Sequence, residues 1–282
     1  MEINKIHQGD CLILMKEIPD KSVNLILCDL PYGTTACKWD TIIPFEPLWE
    51  QYKRIIKDNG AIVLTASQPF TSALVMSNIK MFKYEWIWEK KNAPNYPHAK
   101  NMPLKVIEEV LVFSKNKVGH ISQLKEKRMN YFPQGTEQCN YSRNGNRGKA
   151  NEDLYIRPSH NKTQVITEKN FPKNILKFDY DYGEQLHPTQ KPVALFEYLI
   201  KTYTNEGDLV LDNCIGSGTT AIACIRTNRN YIGMELSEDY VKISNERIQK
   251  EFSQTKLEVK SGCDANDDGI PPKHLSILPN EL

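Results

Sequence analysis

The chain has 282 residues, of which 40% are hydrophobic and 25% are charged, and its 36 Lys and Arg nearly balance its 35 Asp and Glu. This composition excludes a disordered polymer and is sufficient for a proper buried core. The net charge of +1 does not by itself indicate a polyanionic partner, so any basic surface must arise from a local asymmetry. The N-terminus lacks a signal-peptide pattern and no apolar run reaches membrane-spanning length, so we expect a soluble cytoplasmic protein without a membrane partner.

The cysteines are scattered, with no C-x-x-C pair and no nearby His that would complete a zinc set. We therefore expect reduced packing residues, and neither disulfides nor a metal site. The seven cysteines are Cys11, Cys28, Cys37, Cys139, Cys214, Cys224 and Cys263.

Short apolar runs ended by turn residues predict strands, and the stretches between them predict helices. Before residue 117, the predicted strands are residues 3–7, 23–28, 61–65, 84–89 and 110–113. The predicted helices there are residues 11–18, residues 47–57 with Asn59-Gly60 as their stop, and a stretch ending at Met76. Strands linked by helical stretches predict a wound, mostly parallel sheet.

The run Val23 to Cys28 leads directly into Asp29-Leu30-Pro31-Tyr32. This pattern predicts a buried strand that breaks into a loop, which brings a carboxylate, a rigid backbone and an aromatic ring together. Ligands of open α/β sheets bind at the carboxyl ends of the strands, so the loop is a candidate active site. The alternative is an ordinary strand exit whose residues only cap, turn and pack.

The periodic pattern ends after residue 116, and residues 117–180 are polar, aromatic and basic. Between Lys117 and Lys177, twelve Lys and Arg stand against five Asp and Glu, a local charge of +7 compared with +1 for the whole chain. Such an asymmetry is typical of a polyanion-binding insert, and its Tyr and Phe side chains are suited to stacking on bases. An irregular, solvated insertion with surface lysines fits the composition equally well.

Strands and helices return after the insert. Residues 208–212 and 231–235 are predicted strands, and the predicted helices end near residues 203, 226 and 250. Between strand and helix, Gly216-Ser217-Gly218-Thr219-Thr220-Ala221 fits G-x-G-x-x-G/A, and Glu235 follows roughly twenty residues later. Glycines let the backbone approach a ligand closely, and the acid accepts hydrogen bonds from ribose hydroxyls. The pattern suits either a dinucleotide or S-adenosylmethionine.

Three motifs in a fixed order resemble the amino-methyltransferases of DNA. They are Asp29-Leu30-Pro31-Tyr32, His187-Pro188-Thr189-Gln190-Lys191-Pro192 and Leu211-Asp212-Asn213-Cys214-Ile215-Gly216-Ser217-Gly218-Thr219-Thr220. The order, catalytic motif first and glycine loop last with an insert between, resembles the β-type circular arrangement of that family. The likeness covers roughly the whole chain before the C-terminal tail.

The resemblance implies an α/β fold: a Rossmann-like, seven-stranded methyltransferase sheet with helices on both faces, matching the five strands predicted before the insert and the two after it. It divides the chain into a catalytic half (1–116), a target-recognition insert (117–180), a cofactor-binding half (181–252) and a loosely held tail (253–282).

The resemblance also implies S-adenosylmethionine as cofactor and double-stranded DNA as substrate. It implies contacts to the methionine moiety from Asp212 and the glycine loop, to the ribose from Glu235 and to the adenine from Asp10. Phe70 suits either the cofactor adenine or the apolar core. The residues that would close over the methionine end are Thr189, Gln190 and Lys191, and those of the glycine loop are Gly216, Ser217, Gly218, Thr219 and Thr220.

The chemistry explains the catalytic motif. The exocyclic amine of adenine is a poor nucleophile because its lone pair is delocalised into the ring. The Asp29 carboxylate and the Leu30 carbonyl each accept one amine hydrogen, which turns the lone pair towards the methyl group. Tyr32 stacks on a base swung out of the duplex, and Pro31 stiffens the loop. Transfer is then direct and in line, without a covalent enzyme intermediate.

The sequence departs from the family at two positions. The family often has Pro where Leu30 stands, but only the backbone carbonyl of that residue is used. It usually has an aromatic residue where Cys214 stands, so cofactor contacts at that position are in question. Asp29 in the first position of its motif resembles adenine-specific members, although the same acceptors would serve cytosine N4.

We therefore predict a site-specific DNA methyltransferase acting on adenine N6. The alternatives are an N4-cytosine or RNA methyltransferase, a nucleotide-dependent dehydrogenase and a catalytically idle DNA-binding module. A dehydrogenase gives no role to the Asp29 motif. Related enzymes include homodimers and enzymes that work with a restriction partner. The sequence shows no interface signature that indicates a homodimer or a restriction partner for this chain.

Overall fold

The computed structural model describes residues 1–34, 40–119, 124–143, 164–179 and 190–263, without the side chains of residues 143, 164 and 255–263. Within these ranges the strands are β1 (Lys5–Gln8), β2 (Val23–Asp29), β3 (Ile56–Ala66), β4 (Phe82–Glu89), β5 (Ile107–Phe113), β6 (Glu137–Arg143), β7 (Gln164–Lys169), β8 (Ile175–Lys177), β9 (Leu209–Asp212) and β10 (Asn230–Glu235).

Eight of these strands form one sheet in the order β1-β10-β9-β2-β3-β5-β4-β8. The strands from β1 to β3 in this order all pair in parallel, β5 is antiparallel to both of its neighbours, and β8 is parallel to β4. Parallel neighbours with buried runs need cover on both faces, which helices supply. The mostly parallel, Rossmann-like sheet predicted from the sequence is confirmed.

The helices are α1 (Cys11–Leu14), α2 (Phe45–Ile55), α3 (Phe70–Ser77), α4 (Val193–Tyr203), α5 (Thr219–Arg226) and α6 (Glu238–Cys263). Strand β2 shows how they cover the sheet, because alternate residues of a strand point to opposite faces. Leu25 and Leu27 pack in the cluster that contains α4 and α5, whereas Ile26 and Cys28 pack in the cluster that contains α2 and α3. The prediction of helices on both faces is therefore confirmed.

The insert contributes to the sheet, and the prediction of seven strands was wrong for this reason. Strand β8 pairs with β4 at the sheet edge, and only Leu176 of its three residues is buried. One buried side chain in so short a run leaves no periodic signal in the sequence. Within the described part of the insert, β6 and β7 also form a separate antiparallel pair, where no strand was predicted.

Several element boundaries differ from the prediction, and those of α2, β3 and α6 change the interpretation of the sequence. Helix α2 ends at Ile55 and β3 begins at Ile56, so Asn59-Gly60 lies inside a strand rather than at a helix stop. A side chain at Gly60 would place its Cβ 2.7 Å from the Asn24 carbonyl oxygen, so this glycine serves close strand approach. Helix α6 continues past residue 250 to Cys263, since no Pro or Gly interrupts residues 251–261. Residues 264–282 lie outside the described ranges.

Five of the cysteines have described side chains, and all five are free thiols, as predicted. Cys37 and the side chain of Cys263 lie outside the described residues. None of the helices in the described ranges combines the length and apolar character needed to cross a bilayer.

Candidate active site

The carboxyl ends of β2, β9 and β10 lie at the same edge of the sheet because these strands run parallel. Each ends in an acid: Asp29, Asp212 and Glu235 respectively. A cavity of about 450 Å³ runs along this edge and is lined by all three acids. The fold therefore unites the two sequence motifs in one site, although 182 residues separate the first two acids.

The Asp29 carboxylate is held by three side chains. Its Oδ1 accepts hydrogen bonds from the Tyr32 hydroxyl, at 2.8 Å, and from the Thr65 hydroxyl on β3. Its Oδ2 accepts a hydrogen bond from the Lys191 ammonium at 2.7 Å. The side chain of Asp29 keeps 24% of its surface exposed, towards the cavity that it lines. Asp29 is therefore a fixed hydrogen-bond acceptor with an open side.

Tyr32 follows on the same loop and lines the cavity. Burial and the negative charge of Asp29 raise the pKa of the Tyr32 phenol well above its usual range, so the hydroxyl stays protonated and donates. The ring stacks on Phe70 with the centroids 5.2 Å apart and the planes 23° apart. Phe70 itself is 3% exposed and belongs to the core cluster, so of its two predicted roles the structure supports packing.

A further carboxylate fixes the loop after Tyr32. The Asp40 side chain accepts hydrogen bonds from the backbone N–H groups of Gly33, at 2.8 Å, and Thr34, at 2.9 Å. Asp40 is 8% exposed, so it acts as an interior anchor for this turn. Carboxylates that accept such backbone bonds are charge-assisted acceptors, which makes the anchor strong.

Lys191 connects Asp29 to a second buried ion pair. Its ammonium lies 3.5 Å from Oε2 of Glu108, and Oε1 of Glu108 accepts a hydrogen bond from Lys90. Glu108 is near the start of β5 and Lys90 directly follows β4, so both reach the edge where β2 ends. The side chains of Lys191, Lys90 and Glu108 are 6%, 6% and 12% exposed. Negative and positive groups thus alternate along this row of side chains, and each buried charge has an opposite charge beside it, which offsets its lost hydration.

Asp212 has a different environment. Its Oδ2 accepts a hydrogen bond from the Thr220 hydroxyl and its Oδ1 accepts one from the Cys214 backbone N–H at 3.1 Å. No described Lys, Arg or His forms an ion pair with it. Burial accordingly raises the pKa of the Asp212 carboxyl to about 7. A cationic ligand group would favour its ionised form.

Residues of α6 contact the glycine loop between β9 and α5 and fix its conformation. Gly218 has a φ of +87°, and a Cβ there would lie 3.0 Å from the Cβ of Ser244. Arg247, only 8% exposed, donates hydrogen bonds to the Ser217 carbonyl at 3.1 Å and to the Thr219 hydroxyl at 3.2 Å. The Ser217 hydroxyl in turn donates to the Gln190 side chain at 3.1 Å. The loop is therefore fixed before any ligand binds.

Glu235, at the end of β10, also contacts this loop. Its carboxylate accepts hydrogen bonds from the Gly216 backbone N–H at 3.0 Å and from the Ser237 backbone N–H at 2.9 Å. Each oxygen retains further acceptor capacity on the side that lines the cavity. Glu235 is thus oriented by the backbone and able to accept hydrogen bonds from hydroxyl groups.

The predicted site residues divide into two sets. The cavity lining includes the whole Asp29-Leu30-Pro31-Tyr32 loop and the predicted cofactor residues Gln190, Lys191, Asp212, Gly216, Ser217, Thr219 and Glu235. Asp10, Gly218 and Thr220 do not line it. Thr189 lies outside the described residues.

The predicted residues outside the lining have other contacts in this structure. Asp10 caps α1 by accepting a hydrogen bond from the Leu12 backbone N–H at 2.8 Å. Gly218 packs on α6, and Thr220 donates to Asp212. They support the loops that line the cavity. Sequence reasoning missed Thr65, Lys90, Glu108 and Arg247, whose local patterns are those of ordinary strand and helix residues.

The chain matches the family model N6_N4_Mtase, described as DNA methylase, over residues 23–246. It is 28% identical over 257 residues to the Type II methyltransferase M1.MboII of Moraxella bovis, covering 87% of this chain and 96% of that protein. It is 28% identical over 265 residues to the DNA adenine methyltransferase YhdJ of Escherichia coli (strain K12), covering 88% of this chain and 83% of that protein. The solved M1.HpyAVI–SAM complex has a TM-score of 0.55 at 24% identity, over 86% of this chain and 98% of that one.

The family match spans both halves of the cavity, from the first residue of β2 to the middle of α6. It includes the Asp29 loop, the glycine loop and Glu235, so the family inferred from the three motifs is confirmed. The chain therefore belongs to the N6/N4 DNA methylase family, the S-adenosylmethionine-dependent methyltransferases of exocyclic amines in DNA.

Proposed function

We propose that this protein transfers a methyl group from S-adenosylmethionine to N6 of adenine at a specific sequence in double-stranded DNA. The observation that carries the proposal is the shared cavity, in which a fixed carboxylate acceptor, Asp29, adjoins two acids suited to a nucleoside and an ammonium group, Glu235 and Asp212. Direct transfer needs no more than a leaving group and a correctly held amine.

The residues at the β9 and β10 ends fit this cofactor. Asp212 is a buried carboxylate without a described cationic partner, which suits the ammonium of a methionine moiety. Glu235 is oriented by two backbone N–H groups and suits a pair of ribose hydroxyls. The cofactor would supply an activated methyl group on a sulfonium. Gln190, fixed by Ser217, is placed to help close this side.

The residues at the β2 end would hold the amine and the base. Asp29 and the Leu30 carbonyl accept one hydrogen each, which directs the amine lone pair away from the ring plane. Phe70 stacks on one face of the Tyr32 ring, so a base that has left the duplex would have to stack on the other face. The four residues of this loop thus position the nucleophile, and the protein supplies no covalent group.

Adenine is favoured over cytosine by Asp29 at the first motif position and by the likeness to an adenine methyltransferase. Cytosine N4 is the second candidate, because its amine also presents two hydrogens to the same two acceptors. The DNA substrate is further supported by the basic composition of residues 117–180, which we propose as the target-recognition insert. Strands β6 and β7 give this insert a framework of its own.

A direct test is transfer in vitro. The purified protein is incubated with S-adenosylmethionine carrying a tritiated methyl group and with duplex DNA from a host that lacks amino-methylation. Digestion to nucleosides and chromatography should give labelled N6-methyldeoxyadenosine. Labelled N4-methyldeoxycytidine would reassign the base, and label accepted only by RNA would reassign the substrate. Cofactor binding without transfer to any nucleic acid would indicate an idle binding module.

A further inference from the structure

Lys191 lies where a target amine must bind. Its ammonium donates to Oδ2 of Asp29 at 2.7 Å, while Oδ1 is already used by Tyr32 and Thr65. The same ammonium is 5.7 Å from the centroid of the Tyr32 ring. Lys191 thus occupies the free oxygen of Asp29 and the vicinity of the stacking ring. An amine that approaches Asp29 competes with an N–H donor already in place.

Glu108 offers the ammonium a second position. Its Oε2 is buried and accepts no hydrogen bond from the described residues, although the Lys191 ammonium is only 3.5 Å away. A charge-assisted N–H···O bond is about 2.8 Å long, so a shift of less than about 1 Å would complete this contact. Buried polar atoms without partners cost free energy and need an explanation. An acceptor held ready for a moving donor is such an explanation.

We propose that Glu108 is a positioning residue for methyl transfer: it receives the Lys191 ammonium when the target amine replaces it on Asp29. This inference rests on the proposed role of Asp29 as the acceptor of the amine. No proton is transferred in the exchange, and Lys191 remains a cation between two carboxylates. Lys90 donates a hydrogen bond to the other oxygen of Glu108 and so holds the carboxylate in place beside Lys191.

The exchange explains why the cluster contains four charged groups instead of one pair. With Asp29 and Lys191 alone, the buried ammonium would lose its contact with one carboxylate without gaining a contact with another, which is unfavourable. With Glu108 and Lys90 added, every charge has a partner both before and after the amine binds. The cost of admitting the amine to Asp29 is reduced accordingly.

The test is single-turnover methyl transfer to unmethylated DNA at saturating S-adenosylmethionine, with wild type and Glu108→Gln compared. We expect the transfer rate to fall about tenfold, since a contact to a charged donor is lost at this step. The dissociation constant of the cofactor should change less than about twofold. Glu251→Gln is the matched control, because Glu251 also forms an ion pair, with Arg226, and its side chain has the same 12% exposure as that of Glu108.

A double-mutant cycle separates positioning from simple structural support. If Glu108 acts through Lys191, Glu108→Gln should have little further effect on the rate of Lys191→Met, whose side chain cannot compete for Asp29. Equal losses in both backgrounds would overturn the proposal. Glu108→Asp, which keeps the charge, should recover part of the rate. If Glu108→Gln is unstable, adding Lys90→Met to the same chain removes the ammonium that has lost its carboxylate contact, and the comparison is made in that background.

A structure of the wild-type protein with DNA and a non-reactive cofactor analogue gives an independent reading. We expect the Lys191 ammonium within about 3 Å of Oε2 of Glu108, and the target amine on Asp29. An ammonium still bonded to Asp29 beside a bound base would overturn the inference. If the wild type transfers no methyl group to DNA, the proposed function itself fails; normal transfer by both wild type and Glu108→Gln refutes only the role of Glu108.

Discussion

Two adjacent strands of the sheet, β2 and β9, each end in an aspartate, and the two carboxylates line one cavity in different electrostatic environments. Asp29 is paired with the Lys191 ammonium, whereas Asp212 is buried among neutral donors and its pKa is raised to about 7. The same residue type at equivalent strand ends therefore has two properties, which its neighbours determine.

Under the proposed function, this difference between Asp29 and Asp212 matches the two ligands that direct methyl transfer requires, a target amine and a methionine moiety. The amine that this function assigns to Asp29 is neutral, and the Lys191 ammonium is the cation that pairs with this carboxylate in the ligand-free site. A methionine moiety brings its own positive charge, so its acceptor needs no internal cation. The charge partners of each carboxylate thus suit the ligand that we propose for it. Changing one carboxylate at a time should therefore separate catalysis from cofactor binding.

The largest separation is expected for Asp29→Ala. Removing the acceptor should lower the rate of methyl transfer by about 10³-fold or more, because the amine is no longer oriented in the transition state. The cofactor should still bind within about threefold of wild type, since Asp212 and Glu235 are unchanged. Radiolabelled transfer and calorimetric titration measure the two quantities. Transfer at the wild-type rate would remove Asp29 from the mechanism.

The converse variant, Asp212→Asn, should weaken cofactor binding by about 30-fold, since a charge-assisted contact to the ammonium is replaced by a neutral one. At saturating cofactor the transfer rate should remain within about fivefold of wild type. Titration near pH 8, where Asp212 is ionised, gives the clearest result. A loss confined to the transfer rate would contradict the assignment of Asp212 to the cofactor.

The raised pKa of Asp212 also predicts how the ligand-free protein responds to pH. The folded state holds this proton up to about pH 7, whereas the unfolded state releases it near pH 3.8, the ordinary pKa of an aspartate, so folding stability falls as pH rises between these values. Asp212→Asn lacks this penalty. Its free energy of unfolding relative to wild type should increase by about 4 kcal/mol between about pH 3 and pH 8. Denaturant titrations at both pH values, showing no change in this difference, would contradict the account.

The smallest effect is expected for Thr65→Val, which removes one of the hydroxyls that hold Oδ1 of Asp29. Losing one such bond should lower the transfer rate about fivefold. Thr202→Val is the matched control, because both threonines are fully buried and the Thr202 hydroxyl donates a hydrogen bond to the Tyr198 carbonyl on its own helix. The control should alter stability without altering the rate per folded molecule. Equal rates for the two variants would show that the hydroxyl does not position Asp29.

Local patterns were enough to predict the parts of the site that follow strands. The buried runs before Asp29 and Asp212, and the glycines after Asp212, indicate their structure within a few residues. Glu108 and Arg247 carry no such signal, because a charged residue in a strand or helix is ordinarily exposed. Their burial results from packing between elements distant in sequence. The antiparallel direction of β5, which brings Glu108 to the active edge, is also invisible to local patterns.

The most direct test of the central claim is single-molecule sequencing of genomic DNA from a host without amino-methylation. The host expresses this chain or its Asp29→Ala variant. The account predicts N6-methyladenine at one recurring short sequence with the wild type and no modified base with the variant. Modification that persists in the variant, or a genome left unmodified by the wild type, would contradict it.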